Sequence, residues 1–110
     1  MYNKLVLKWL LSIKEEDCLQ RDKLKQALYV GGEGAEVYFD LSSSPAKFAV
    51  IGSAYLTAMV KWLQQVLLED NKALQSYDFP ALIDLFSLPS IKRKDALLLL
   101  ELIEIIKDER

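Results

Sequence analysis

Three groups of residues in this chain have the types and spacing that could do chemistry. Lys92-Arg93-Lys94 is the only run of three consecutive cations, and the pattern after it places it in the first turn of a helix. Cations there oppose the helix dipole by a few tenths of a kcal/mol each. A sequence that keeps Lys92, Arg93 and Lys94 beside free backbone amides is therefore laid out to receive an anion or a phosphate. The bland alternative is a solvated turn of helix. Glu33, Glu36 and Asp40 gather acids in a glycine-rich stretch, but their spacing lacks the oxygen-donor alternation of a calcium loop, so no metal site is expected. Cys18 is the lone cysteine. A helix N-terminus lowers a thiol pKa, yet Glu16 and Asp17 act the other way, and Cys18 reads as a core-edge residue rather than a nucleophile.

The chain has no histidine. That removes the usual general base, the proton shuttle near neutral pH and the commonest metal ligand. One cysteine without histidine also excludes the standard zinc spacings and an intramolecular disulfide. Gly31-Gly32-Glu33-Gly34 superficially suggests a phosphate cradle. No Lys-Ser/Thr follows it, and it sets a carboxylate where phosphate would sit, so it reads as a helix stop and linker. Trp9, Trp62, Phe48, Tyr55, Phe79 and Phe86 fall at helical core positions and form no stacking platform. Tyr2, Tyr29, Tyr38 and Tyr77 lie near element ends with their hydroxyls in water. An enzyme built here would have carboxylates alone to work with. The expectation is a non-enzymatic protein without a cofactor.

The elements that must position these residues follow from composition and period. A chain of 110 residues, 52% hydrophobic and 27% charged, is globular and long enough for one core, read as a single helical domain over residues 1–110. A net charge of −2 provides no field for nucleic acid or an anionic membrane. Met1 to Ile13 is apolar enough to raise the question of a signal peptide. Lys4 and Lys8 interrupt it, and Lys14-Glu15-Glu16-Asp17 stands where a cleavage site would be needed, so it is read as a first helix in a cytoplasmic protein.

That helix is predicted over residues 3–14, with Lys4, Lys8 and Ser12 on one stripe. Asp17, with Gln20 three residues on, is predicted to cap a second helix from Cys18 to Val30, ended by Gly31-Gly32. Ala35 to Leu41 alternates well enough for a short extended segment, with Val37, Phe39 and Leu41 on one side. The sequence offers it no second strand except that of a symmetry mate, and residues 31–44 stay open between strand, loop and turn. Ser44-Pro45 has the form of a helix start and predicts the longest helix, from Pro45 to about Asp70. A polar link from Asn71 to Asp78 leads to a short helix from Phe79 to about Leu88. Ser90 then caps a last helix from Ile91 to about Asp108. The fold class expected is all-α, about five helices in a compact bundle around the long one.

Two of these helices carry more apolar surface than a helix normally buries. Every residue from Phe48 to Val60 is apolar or small, so the helix must be surrounded. Its thirteen residues fall short of the roughly 20 needed to cross a bilayer, and no membrane span is expected. Ala49, Ser53 and Thr57 form a line of small residues, and Gly52 is expected to be tolerated for close packing. In the last helix, Lys94, Glu101, Glu104 and Asp108 make one narrow stripe. Ala96, Leu98, Leu99, Leu100, Leu102, Ile103, Ile105 and Ile106 cover about 220°, where a little over 100° suffices. The excess predicts a protein partner: a homodimer, or a subunit or adaptor in a complex. The interface is drawn from Ile51, Tyr55 and Met59 on the long helix and Leu98, Leu102 and Ile105 on the last. The alternative is a nucleic-acid-associated regulator using Lys92, Arg93 and Lys94, recognised by salt-dependent retention on heparin.

Overall fold

The structure, a computed structural model, describes residues 4–32, 34–69 and 77–109. Tyr2, Glu33, Asp70 and the link at 71–76, all used above, lie outside the described residues. It overturns the all-α expectation. The described residues form four α-helices and a three-stranded antiparallel sheet, in the order α1 (Lys4–Leu11), β1 (Leu28–Gly32), β2 (Ala35–Asp40), β3 (Lys47–Ile51), α2 (Ala54–Glu69), α3 (Phe79–Phe86) and α4 (Arg93–Glu109). Short 3-10 turns span Glu15–Asp17, Arg21–Gln26 and Ser90–Lys92.

The predicted second helix is replaced by the Arg21–Gln26 turn and by β1. Leu28, Tyr29 and Val30 alternate inward and outward as well as they fit a helix, and a ladder partner decides between the two. β1 pairs with β2 along its whole length, from Leu28 opposite Phe39 to Gly32 opposite Ala35. The glycines expected to stop a helix instead end a strand. Gly34, at φ +73°, supplies the positive φ that a tight hairpin needs. The extended segment has partners on both sides within the chain, since β2 is the central strand.

The predicted long helix also divides. Ser44-Pro45 is a cis peptide bond rather than a helix start. Phe48 and Val50 turn inward as β3, paired with Phe39 and Val37. Gly52 turns the chain at φ +152°, and an added Cβ would meet Leu56 at 3.2 Å and Ala35 at 3.4 Å. Ser53 then opens α2: its hydroxyl accepts from Leu56 N–H at 3.2 Å and donates to Asp95 Oδ2 at 2.6 Å. That bond explains why Asp95 interrupts the apolar arc of the last helix, where it is buried. At α3 the cap is Asp78, which accepts from Ala81 N–H at 3.0 Å. Ser90 caps nothing through its side chain and begins the 3-10 turn into α4.

One face of the sheet (Val30, Val37, Phe39 and Phe48) is buried in the core. α4 lies against β1, α2 and α3, and α1 lies against α2. Leu56, Met59 and Leu63 of α2 join Leu99, Leu102, Ile103 and Ile106 of α4 and Leu82 and Phe86 of α3. Trp62 packs edge-on to Tyr77 and Phe86, with ring centres 4.8 and 5.6 Å apart. The outer edge of β3 is covered by the bridge from Cys18 to Phe48, where Leu19 N–H donates to Phe48 O at 2.9 Å. β1 is the opposite edge.

Candidate protein-docking surface

Among the described residues no helix is long and apolar enough to cross a membrane, and no three of His, Cys, Asp or Glu gather as a metal site. The acids grouped above with Glu33 do not make one site among the described residues. Asp40 is buried and accepts from the backbone and hydroxyl of Ser42 at 2.9 and 2.6 Å. Glu36 lies on the outer face of the sheet and accepts from the Tyr29 hydroxyl at 3.1 Å. That bond holds the Tyr29 proton above the ordinary phenol range, because its loss would leave two anions side by side. Tyr29 stacks at a tilt on Tyr38, 5.0 Å between ring centres, and lies along the strand over Gly31, where a Cβ would collide with it.

Asp17 caps no second helix. It sits 3% exposed in a buried polar cluster that ties the N-terminal segment to α2. Lys61 Nζ lies 2.8 Å from Asp17 Oδ2 and 2.6 Å from Gln64 Oε1. Gln64 Nε2 donates to Asp17 Oδ1 at 3.0 Å and to the carbonyl of Ala46 at 2.5 Å. Lys14 N–H donates to Asp17 Oδ2 at 2.9 Å. Burial alone would push the Asp17 carboxyl up. The Lys61 ammonium, the Lys14 amide and the Gln64 amide together outweigh it and hold the carboxyl below its usual range. Each polar atom named has its partner, so the cluster is a structural clasp. The sequence hides it, because Lys61 and Gln64 look like the solvent side of an amphipathic helix.

The residues predicted as an interface are not brought together on one surface. Met59 and Leu102 are fully buried, and Leu98 is nearly so, all in the internal core. Tyr55 and Ile105 are half-buried against it. Ile51 is exposed, but it ends β3 opposite Glu36 on the far side of the sheet. Much of the 220° arc on α4 is covered from within, because the sheet supplies a neighbour that an all-helical arrangement lacks.

What α4 leaves outside is a strip that sequence reasoning passed over. Leu97 is 52% exposed and lies on the same stripe as Lys94, Glu101, Glu104 and Asp108. A leucine at the centre of the charged face is the signal that could have found it. Leu97, Leu100 and Ile105, with Glu101 and Glu104, line a shallow groove of about 540 Å³. Leu97 and Glu101 are shared with a crevice of about 180 Å³ that reaches Gly31 and Gly32 of β1 and is flanked by Lys94. The surface is therefore continuous from the edge of the sheet along the outer face of α4. Ile91, just before the helix, is 76% exposed. Of the basic run, Lys94 borders this surface, while Lys92 and Arg93 line neither the groove nor the crevice. The acids further along the same stripe offset its charge.

Comparison with protein-family models, with curated proteins and with solved structures finds no match to this chain.

Proposed function

We propose that this protein is a small, non-enzymatic interaction module of the cytoplasm that binds protein through the outer face of α4 and the adjoining edge of β1. Leu97 carries the proposal. Leucines on the solvent side of a helix are common singly. Here the leucine is flanked by two further half-buried apolar side chains and opens into a groove with charged rims, as at the centre of an interaction patch. The lone, exposed thiol of Cys18 suits a reducing compartment.

The test compares the wild type, Leu97→Asp and Ile51→Asp by light scattering over a concentration series, with an apolar dye as a second readout. Leu97→Asp is expected to abolish self-association, or, if the chain is monomeric, to abolish dye binding. Ile51→Asp, on the far side of the sheet, is expected to change neither. Equal mass and equal dye binding in all three would remove α4 as the docking surface.

A further inference from the structure

We infer that the occupant of the α4 groove is a second copy of this chain, docked with its α4 antiparallel to the first. The inference rests on the docking surface proposed above and adds the partner and its orientation. The charges on the strip carry it. Along α4 the outer stripe reads Lys94, Leu97, Glu101, Glu104, Asp108: a cation at one end, acids at the other and a leucine between. Among the described residues neither Lys94 nor Glu101 takes part in an ion pair within the chain.

Laid parallel, two such strips would set cation on cation and acid on acid. Laid antiparallel about a two-fold axis beside Leu97, they complement each other. Lys94 lies three residues before Leu97 and Glu101 four after it, each about one turn away. The two-fold brings Lys94 level with Glu101 of the partner subunit, and the reciprocal pair forms by symmetry. Leu97 meets the partner's Leu97 at the axis. The same operation thus covers the leucine and two unpaired charges. Apolar contact supplies the attraction, while the charges fix direction by penalising the parallel arrangement.

Charge exchange tests this directly, because all the substituted side chains lie outside the core. The wild type is expected at twice the chain mass of 12.6 kDa at micromolar concentration. Lys94→Glu and Glu101→Lys each set like charges against each other twice across the axis, and each is expected to weaken the dimer about tenfold or more. Mixing the two variants one to one restores opposite charges at both contacts and is expected to recover the dimer, and the double variant should recover it alone. Circular dichroism confirms that each variant is folded.

Single variants that remain dimeric, or a mixture that stays monomeric, would overturn the antiparallel pairing. A wild type that is monomeric at every concentration would overturn self-pairing. If dye binding in that monomer still vanished with Leu97→Asp, the groove would remain a docking surface for a different protein. A dimer that persists in Leu97→Asp would overturn the docking surface together with the pairing.

Discussion

α2 and α4 are of nearly equal length, 16 and 17 residues, and both carry more apolar surface than a surface helix needs. Each buries polar side chains and exposes a leucine: Lys61, Gln64 and Leu68 on α2, Asp95 and Leu97 on α4. The inward exceptions of α2 and the outward one of α4 run in opposite directions. α2 turns Lys61 and Gln64 inward, where both are buried. α4 turns Leu97 outward, where it is half exposed. The inward exception is complete in itself: ammonium, amide and carboxylate satisfy one another and anchor the chain from Lys14 to Asp17. The outward exception has no counterpart within the chain. A polar side chain in the core points to its partner inside the molecule, whereas an apolar one on a charged stripe is what the proposed docking surface is built on.

The sharpest way to break this comparison is to remove one member of the clasp. Lys61→Met keeps most of the aliphatic volume but leaves the Asp17 carboxylate and the Gln64 carbonyl buried without their cation. Breaking a buried pair from one side costs about 3–5 kcal/mol, a large share of the 5–15 kcal/mol typical of a domain. Urea unfolding should show the midpoint falling by a corresponding amount, the largest effect expected from any single polar change in α2. A loss below about 1 kcal/mol, the scale of exposed ion pairs, would mean that the clasp is open to water.

How much of this could be read in the sequence depends on how local the deciding interaction is. α1, α3 and α4 were legible because the period and its breakers lie within a few residues of one another, as with Asp78 before α3 and Pro80 in its first turn. β1 and β3 were not. Leu28-Tyr29-Val30 and Phe48-Ala49-Val50 satisfy a helical pattern and a strand pattern alike, and the choice rests on β2, which pairs with both. β2 itself was legible as an extended segment, but its isolation in the helical reading left it without partners. Missing two strands then inflated the apolar excess on α4, because β1 covers part of that arc. Lys61 and Gln64 were illegible for the same reason, since Asp17 lies more than forty positions away. Leu97 alone was readable locally, as the apolar member of the stripe drawn through Lys94 and Glu101.

Acid sharpens the comparison from the side of the clasp. The folded-state pKa of Asp17 is depressed, so its contribution to stability is fully present above the unfolded value of about 3.9 and is lost as pH falls through the lower, folded value. Wild-type stability should therefore decline as the pH drops below about 4. Lys61→Met weakens that dependence. Without the ammonium, only the Lys14 and Gln64 amides oppose the burial that pushes the Asp17 carboxyl up, so its pKa rises and less stability is lost on acidification. The stability gap between the two proteins should be widest near pH 7 and narrowest below about pH 4. Parallel pH profiles would show that the Lys61 charge, as opposed to its packing, contributes nothing to the clasp.

The smallest effect is expected at Leu97, and it is the one on which the outward exception stands. A side chain that supports the fold of its own chain costs about 2–5 kcal/mol when truncated in the core, as Leu102→Ala should at the fully buried position one turn and a half further along α4. Leu97→Ser, measured by urea unfolding at concentrations too low for association, should move the stability by no more than about 0.5 kcal/mol. Stability and association then separate: Leu102→Ala weakens the fold, while Leu97→Ser leaves the monomer intact and loses only the partner. A cost at Leu97 comparable with that at Leu102 would place its side chain in the core, and α4 would have no outward exception left to explain.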